Sequence, residues 1–439
     1  MDKNEILRIL EDWNFWKIDL DTGISREKYL KKLRQFLETK QVLTIIGARR
    51  SGKSFIMRQL ARNLMDGGKD KSETLIINFE DPRFVELKVE SLQQIYETYL
   101  EFLSPKGPPY IFLDEVQEIE GWEKWVSTAQ ELQKARVVVS GSNAKLLSRE
   151  LGTLLTGRHL DITVFPLSFK EYLSFKEIFV KDDLDIVNKR IQLKGLLRKY
   201  LESGAFPEVV LSTQKQQILL SYFDDILNKD LIRRYSIRKP DRLKALAKYY
   251  LSNISTLVTF SSLEKSLGIS VDTIEKFSGY LENAYLIFFL KRFSFKVKEQ
   301  QKSPRKVYCI DTGLSNAVGF KFSQNSGRLA ENIVFLELKR KQAQNPELEL
   351  YYWKDAQHRE IDFVLKEGQR VTRLIEVCWQ LGELKTKERE IKILLKALDE
   401  FSLKEGLVIT EDCDEQTIIG GKLVRFIPLW KWLVLADKS

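Results

Sequence analysis

Short apolar runs alternate with amphipathic stretches through the first 165 residues of the chain. Four runs are apolar at nearly every position: VLTII from Val42, LIINF from Leu75, YIFL from Tyr110 and VVV from Val137. The stretches between them, such as SLQQIYETYLEFL and GWEKWVSTAQELQKA, repeat their apolar residues at helical spacing. Buried strands separated by helices predict a parallel sheet covered on both faces. Ligands of such sheets bind at the carboxyl ends of the strands, where the polar motifs of this region fall.

Helical patterns dominate the segments on either side of this sheet. Residues 1–40 and 170–235 both repeat apolar residues at helical spacing and predict helices. Residues 260–284 predict a helix, a glycine turn and a second helix capped by Ser270, which is helix-turn-helix spacing. Because two short strands are predicted just downstream, the whole segment predicts a winged helix.

Length and composition narrow the class of protein. A chain of 439 residues predicts about two to four domains. The net charge of +9 permits a nucleic acid or an acidic membrane surface as partner without requiring either. Three scattered cysteines, Cys309, Cys378 and Cys413, give no disulfide or zinc spacing and suit a reducing cytoplasm. Two histidines exclude a histidine-rich metal site, and no run approaches the ~18 apolar residues of a membrane span.

The octet GARRSGKS, which directly follows the first apolar run, fits the phosphate-loop pattern of Gly, four residues, Gly, Lys and Ser or Thr. Its glycines allow a tight turn whose N–H groups point at phosphate oxygens. Lys53 supplies a charge for the β- and γ-phosphates, and the Ser54 hydroxyl can ligate Mg²⁺. Arg49 and the Arg50 side chain are predicted to be structural or interfacial. The predicted nucleotide-binding residues are Gly47, Arg50, Ser51, Gly52, Lys53, Ser54 and Phe55.

A second group of polar residues follows the later strands. Asp114 and Glu115 end an apolar strand and resemble a Walker B element, in which Asp114 holds Mg²⁺ and Glu115 polarises the attacking water. Asn143 orients that water or belongs to an ordinary turn. Arg158 is a surface arginine or reaches the γ-phosphate of a neighbouring subunit as an arginine finger.

The order of these motifs resembles the AAA-type ATPases of archaea and bacteria. GARRSGKS is followed by IFLDEVQ, SGSN, LLTGR and FPLSFKEYL, and later by GAFPEVV, KVYCIDTGL and ENIVFLEL. The resemblance covers about residues 25–400. It implies an ATP-driven conformational machine associated with DNA, with ATP and Mg²⁺ as cofactors. A homo-oligomer, in the form of a ring, follows from Arg158, which has no evident use in a monomer.

The same resemblance implies an α/β fold class with a P-loop sheet, a helical lid, a winged helix and a nuclease-like α/β domain. The implied segments are an N-terminal segment 1–25, an ATPase core 26–168, a lid 169–238, a winged helix 239–310 and a C-terminal domain 311–439. In the lid, Arg233 and Arg234 either sense the nucleotide or belong to a solvated helix face.

The stretch between the two strands of the predicted winged helix is basic. We call residues 291–306 the wing; only Glu299 opposes its positive charges. Phosphates are the natural partner of such a segment, although winged helices also contact proteins. The predicted DNA contacts are Lys291, Arg292, Lys296, Lys298 and Lys302, and Arg305 and Lys306 belong to the same basic stretch.

The C-terminal domain resembles PD-(D/E)xK nucleases, which bind Mg²⁺ with an aspartate and a Glu-x-Lys triplet. Asp362 and Glu376 match and predict a second metal site, and Glu331 precedes them on a helix. Cys378 stands where the lysine is required, and a thiol does not replace an ammonium. The domain is therefore either an active nuclease that recruits Lys385 or Lys387, or a degenerate domain kept for DNA or subunit contact.

Three functions remain open from the sequence. The first is an ATP-hydrolysing motor or switch that acts on DNA, including junction or duplex remodelling by analogy with other AAA motors. The second is a nucleotide-gated protein-interaction switch without a DNA role. The third is a metal-dependent DNA nuclease.

Overall fold

The computed structural model describes residues 1–84, 88–142, 158–320, 325–381 and 384–436 of the chain. The chain divides into two compact units, Met1–Phe165 and Pro166–Ser439. No helix in the described ranges is both long and apolar enough to cross a membrane. The three cysteines are free thiols.

The first unit is built around a five-stranded parallel sheet with the order β2-β3-β4-β1-β5. Its strands are β1 (Val42–Gly47), β2 (Thr74–Asn78), β3 (Tyr110–Asp114), β4 (Arg136–Gly141) and β5 (His159–Val164). Its described helices are α1 (Lys3–Trp13), α2 (Glu27–Leu37), α3 (Lys53–Asp66), α4 (Val89–Leu103) and α5 (Trp122–Glu131). The prediction of a parallel sheet between helices is confirmed.

Both faces of this sheet are covered, which explains why the strands from β1 to β4 are mostly apolar. Successive residues of a strand face opposite sides of a sheet. In β1, Leu43 and Ile45 pack into a core with residues of α2 and α3. Val42 and Ile46 pack into a second core with residues of α1, α4 and α5. A strand with one face in water would instead alternate apolar and polar residues.

The second unit begins with a run of helices, as the sequence predicts. They are α6 (Phe169–Phe175), α7 (Asp183–Asn188), α8 (Arg190–Ser203), α9 (Pro207–Leu211) and α10 (Lys215–Asp225), which continues into a π-helix (Ile226–Arg233). Helix α6 begins with a capping box at Ser168. The Ser168 hydroxyl accepts the backbone N–H of Glu171, and the Glu171 carboxylate accepts the backbone N–H of Ser168.

A helix pair and a three-stranded antiparallel sheet of order β6-β8-β7 come next. The elements are α11 (Pro240–Ser252), β6 (Thr256–Val258), α12 (Phe260–Leu267), α13 (Val271–Asn283), β7 (Ile287–Leu290), α14 (Val297–Lys302) and β8 (Arg305–Cys309). Gly268 ends α12 in the left-handed conformation, with φ +63°. The predicted helices and strands are present, but the wing also contains α14, which its charge pattern did not reveal.

The chain ends in a six-stranded mixed sheet of order β13-β14-β12-β11-β10-β9. Its elements are α15 (Thr312–Val318), α16 (Ser326–Gln342), β9 (Leu348–Lys354), β10 (Glu360–Glu367), β11 (Arg370–Val377), α17 (Leu384–Glu400), β12 (Glu405–Thr410), β13 (Glu415–Ile419), β14 (Lys422–Pro428) and α18 (Leu429–Leu435). Strands β9, β10 and β11 pair antiparallel, whereas β11, β12 and β14 pair parallel. Leu394 and Leu398 of α17 pack into the core of this sheet.

Asp311 joins two phrases that support the family resemblance, GAFPEVV and KVYCIDTGL. Its carboxylate accepts the Ala205 N–H at 2.5 Å and the Leu314 N–H at 3.1 Å. Gly204 has φ +76°, and a Cβ there would lie 2.0 Å from an Asp311 carboxylate oxygen. Burial raises the pKa of Asp311 to about 6 although backbone N–H groups lower it. These residues therefore form a structural joint.

Candidate functional site

The loop after β1 has the backbone conformation of a phosphate cradle. Gly47 has φ +148°, and a Cβ there would lie 2.1 Å from the Val164 carbonyl oxygen. Gly52 has φ +99° and directly precedes α3, so the positive end of that helix lies at the loop. Arg50 also has a positive φ, 67°, which costs a non-glycine residue about 1 kcal/mol. The loop is therefore a turn with positive φ angles at Gly47, Arg50 and Gly52, and the conformation of Arg50 is strained.

Arg26 ties this loop to the end of β5. The side chain is buried, and it donates from Nη1 to the Ser51 carbonyl at 2.8 Å and from Nη2 to the Phe165 carbonyl at 3.0 Å. Its guanidinium carbon also lies 4.6 Å from the centre of the Tyr29 ring. Arg26 is not among the predicted site residues, because no sequence spacing links it to the loop about 20 residues later.

Lys53 and Glu115 meet inside the site. The Lys53 ammonium donates to the Gly47 and Ala48 carbonyls, both at 3.2 Å, and lies 3.6 Å from Glu115 Oε1. Both side chains are buried. Gln117 donates to Glu115 Oε2 at 2.6 Å, which fixes the orientation of the carboxylate. The structure thus brings the predicted phosphate-binding lysine and the predicted water-polarising acid together.

Asp114 is held by serines from two different segments. The Ser140 hydroxyl donates to Asp114 and accepts the Glu115 N–H at 3.2 Å. Burial and then the charge of Glu115 raise the pKa of Asp114, while hydrogen bonds from Ser140 and Ser54 and the charge of Lys53 lower it. Ser54 and Asp114 are therefore neighbours, as a shared Mg²⁺ requires. Ser140 was not predicted as a site residue; its place at the end of an adjacent strand is the only sequence signal.

The other predicted nucleotide-site residues lie apart from this group or outside the described ranges. Asn143 lies outside the described residues. Phe55 is 40% exposed, and its ring lies beside Gly23. Arg158 is exposed and directly precedes β5, whose first residue pairs with Val42 at the amino end of β1. Six residues of strand, about 20 Å, separate that end from the loop, so Arg158 does not serve its own nucleotide.

Some basic side chains of the wing are exposed, whereas others are hydrogen-bonded or ion-paired within the second unit. Lys291, Lys296, Lys298 and Lys302 are exposed. Two large apolar side chains between them are also exposed, Phe295 by 80% and Val297 by 71%. Arg292 is half-buried and donates to the Lys354 carbonyl at 2.5 Å, so its guanidinium is engaged within the unit.

Lys306 is the centre of a buried ion cluster, and its assignment to the basic wing is wrong. It is 3% exposed. Its ammonium lies 2.6 Å from Asp362, 2.7 Å from Glu331 and 2.7 Å from Glu360. Each of its three N–H donors thus has a carboxylate. The ammonium beside Asp362 and Glu331 therefore comes from Lys306 of β8, not from the position of Cys378.

Backbone N–H groups of β10 and β11 also donate hydrogen bonds to the carboxylates of Glu376 and Asp362. The second Asp362 oxygen accepts the Val377 N–H at 2.9 Å, and Glu376 accepts the Asp362 N–H at 3.2 Å. Tyr308 donates to Glu331 at 2.7 Å. In the ranges that the structure describes, no group of three or more His, Cys, Asp or Glu residues is arranged to hold a metal ion. Lys387, one of the two proposed substitute lysines, instead pairs with Glu415.

Burial and like charge change the proton affinities in this cluster. Burial alone lowers the pKa of Lys306, but the charges of Asp362 and Glu331 raise it well above its ordinary value. Burial and the charge of Asp362 raise the pKa of Glu331 to about 8, although Lys306 lowers it. Burial and Asp362 also raise the pKa of Glu376 well above its ordinary value. The buried Lys306 ammonium therefore offsets the repulsion among these carboxylates.

Three family models match consecutive parts of the chain. An AAA domain matches residues 39–173, which contain the phosphate loop and both acids. Two domains of unknown function, DUF8612 and DUF4143, match residues 194–326 and 326–432. The DUF8612 match ends, and the DUF4143 match begins, at residue 326, where α16 starts.

Two curated proteins are similar to almost the whole chain. The uncharacterized protein MJ1544 of Methanocaldococcus jannaschii is 33% identical over 436 residues, covering 95% of this chain and 94% of its own. An uncharacterized protein of Haemophilus influenzae is 33% identical over 416 residues, covering 93% of this chain and 98% of its own.

Among solved structures, the Walker-type ATPase PABY2304 of Pyrococcus abyssi is 13% identical with a TM-score of 0.45, covering 67% of this chain and 96% of that one. The chain belongs to the family of MJ1544 and its Haemophilus relative, and in this chain an AAA domain is followed by two domains of unknown function.

Proposed function

We propose that this protein hydrolyses ATP at the loop Gly47–Ser54 and uses the energy for a conformational change. The observation that carries the proposal is the convergence of Lys53, Glu115 and Asp114 at the carboxyl ends of β1 and β3. A cation for the phosphates and a carboxylate for the attacking water thus lie within a few ångströms of each other. Mere nucleotide binding would not need the buried Glu115.

The positions of these groups support a specific course of hydrolysis. Glu115 accepts a proton from water, whose oxygen bonds to the γ-phosphorus while the bond to the bridging oxygen of ADP breaks. The products are ADP and inorganic phosphate. Lys53 stabilises the negative charge on the β- and γ-phosphates, and Gln117 keeps Glu115 in one orientation. Arg26 keeps the loop in place throughout.

Mg²⁺ fits the site, because a hydroxyl and a buried carboxylate are oxygen ligands of the kind it prefers. Ser54 and Asp114 would hold it, the latter through water. When bound, the ion neutralises charge on the phosphate oxygens.

We also propose that the active form is a homo-oligomer, a ring in the simplest case, in which Arg158 acts on the neighbour's nucleotide. Its place at the amino end of β5 supports this, because it is exposed and remote from its own loop. We expect ATP turnover per wild-type chain to rise with protein concentration, and Arg158→Ala to lower the high-concentration rate by about 10²-fold or more. Turnover is measured as phosphate release from nanomolar to tens of micromolar protein.

Arg198→Ala is the matched control, because it removes an exposed arginine of the second unit that pairs with Glu411. A rate per chain that is independent of concentration and unaffected by Arg158→Ala would exclude the ring. A wild-type chain that releases no phosphate at any concentration would exclude ATP hydrolysis itself.

We propose that the work is delivered to DNA through the wing of a winged helix formed by residues 239–310. Exposed lysines with an exposed aromatic ring between them suit phosphates and base faces. Helix α13, which would enter a groove, instead carries Asp272, Glu275 and Glu282 against Lys276. That acidic face repels phosphates, so the proposed contact is to the backbone and independent of sequence. A protein partner for the wing is the alternative.

Reversing the charges of Lys296, Lys298 and Lys302 to glutamate tests the wing. We expect duplex affinity to fall at least tenfold, and the slope of log affinity against log salt to decrease by about 1 for each phosphate that the wing no longer neutralises. Fluorescence anisotropy of a labelled duplex between 50 and 200 mM salt measures both. The same reversal at Lys229, Lys239 and Lys244, exposed in the same unit, is the control. Unchanged affinity and slope in the wing variant would leave the protein partner as the function of the wing.

For the C-terminal segment 311–439 we propose a contact domain without nuclease activity. Lys306 uses its three donors on Glu331, Glu360 and Asp362, so the ammonium stands among the acids that would otherwise hold a cation. The cluster joins β8 to the helix and the sheet that follow it, which suits a rigid connection. The lid assigned to residues 169–238, and the roles of Arg233 and Arg234 in it, stay predictions.

A further inference from the structure

An ion pair crosses the sheet above the acids of the nucleotide site. Arg49, in the phosphate loop, is 8% exposed and donates from Nη2 to Glu80 Oε1 at 2.8 Å. The loop follows β1, and Glu80 lies two residues beyond the end of β2. In the sheet, β3 and β4 lie between these strands, a span of about 14 Å at ordinary strand spacing. The pair therefore passes over the carboxyl ends of β3 and β4.

Those strand ends carry the hydrolytic residues. Asp114 ends β3 and is hydrogen-bonded to Ser140 of β4. The Phe79 N–H donates to the Asp114 carbonyl at 3.1 Å, so the segment that leads to Glu80 stays beside β3. A γ-phosphate bound between Lys53 and Glu115 must lie over the same strand ends. Arg49 thus carries its guanidinium across the place where negative charge develops during hydrolysis.

We propose that Arg49 is a catalytic arginine supplied by the chain that binds the ATP, and that Glu80 holds it until the γ-phosphate replaces the carboxylate. This inference rests on the proposed ATP hydrolysis. Glu80 is 40% exposed, so the carboxylate returns to water easily when the guanidinium leaves it. A guanidinium binds phosphate oxygens through two parallel, charge-assisted hydrogen bonds. The exchange therefore favours the nucleotide-bound arrangement.

Arg49 and Arg158 would then do different work. An arginine of the same chain acts in every subunit, whether or not a neighbour is present, whereas Arg158 requires a neighbour. The loss of rate caused by Arg49→Ala should consequently be the same at every protein concentration. The loss caused by Arg158→Ala should vanish on dilution.

The test uses Arg49→Ala, Arg49→Lys and Glu80→Gln in the full chain, with ATP turnover and the affinities for ATPγS and ADP as readouts. We expect Arg49→Ala to lower kcat by about 10²–10³-fold and to reduce the preference for ATPγS over ADP about tenfold, with ADP affinity unchanged. Arg49→Lys should recover little, because a point charge does not reproduce the planar fork. Glu80→Gln should bind ATPγS more tightly, because the competing carboxylate is gone.

Arg34→Ala, which removes another arginine–glutamate pair in the same unit, is the control for loss of an ion pair. A kcat within threefold of wild type for Arg49→Ala, with an unchanged ATPγS preference, overturns the proposal while ATP hydrolysis stands. Equal losses of ADP and ATPγS affinity would also overturn it, because Arg49 would then only shape the loop. If wild-type protein turns over no ATP but Arg49→Ala still lowers the ATPγS preference, hydrolysis fails and the γ-phosphate contact of Arg49 stands.

Discussion

Lys53→Met should abolish ATP hydrolysis and weaken nucleotide binding at least 100-fold. The variant keeps the length of the side chain but removes the only ammonium that lies between the loop carbonyls and Glu115 in the described part of the site. Without it, phosphates approach two buried carboxylates, Asp114 and Glu115, with no compensating lysine charge. The expected loss of turnover is about 10³-fold or more, because ground-state binding and charge stabilisation in the transition state are both lost.

Thermal unfolding with and without ADP measures the binding part of this prediction directly. Ligand present at 100 times its dissociation constant stabilises a protein by about 2.7 kcal/mol. Wild type should show that shift and Lys53→Met should not. Lys69→Met, which removes a surface lysine paired with Glu73 in the same unit, is the matched control. If Lys53→Met keeps the ADP-dependent shift and the wild-type turnover, the loop is not the nucleotide site.

The candidate residues of this site that the sequence itself marks are those whose signal is local in the chain. Gly47, Gly52, Lys53 and Ser54 lie in one octet. The two glycines of that octet allow the backbone conformations that the turn requires. Arg26 and Ser140 act in the same site but come from segments about 20 and 90 positions away. Only the folded sheet shows that they meet the loop and Asp114. Sequence spacing carries no information on such contacts unless a motif already contains them.

Lys306 shows the opposite error, in which a local signal was misleading. A run of basic residues predicts a solvated face, and this pattern places Lys306 in the basic wing. Strand alternation gives a different answer, because Lys306 and Tyr308 share one face of β8 and Tyr308 is buried. Its main acidic partners lie between 25 and 56 positions downstream. A single sequence cannot assign those partners, although the alternation could have placed Lys306 inside.

Lys306→Met should destabilise the second unit by about 3–5 kcal/mol at neutral pH, because removing one partner leaves buried carboxylates without a counter-charge. Glu360 and Asp362 would then lose the ammonium that they share at 2.7 and 2.6 Å, where water hardly reaches them. Hydrogen exchange in the full chain measures the effect locally. Amides of β8 and β10 should exchange about 10²–10³-fold faster than in wild type, while amides of the first unit should be unchanged.

The pH dependence of this loss has a definite sign. The pKa of Glu331 is about 8 in the folded protein, against an ordinary value of 4.5. Between these values the folded state binds more protons than the unfolded state, so stability rises as pH falls from 8 towards 4.5. Lys306→Met removes the charge that lowers the pKa of Glu331, so more protons bind on folding. The deficit of the variant should be largest near pH 9 and should shrink as pH falls to 5.

Lys354→Met separates the buried ammonium from an ordinary surface charge. Lys354 lies 3.7 Å from Glu360 but is 24% exposed, so its loss should cost less than about 1 kcal/mol. Adding Glu331→Gln and Asp362→Asn to Lys306→Met should restore at least half of the lost protection, because neutral groups tolerate burial without a cation. Equal exchange rates in Lys306→Met and Lys354→Met would contradict the proposal that the ion cluster of Lys306 connects β8 rigidly to the helix and sheet that follow it. Loss of protection that the two neutralising changes do not relieve would assign the effect of Lys306 to its packing rather than to its charge.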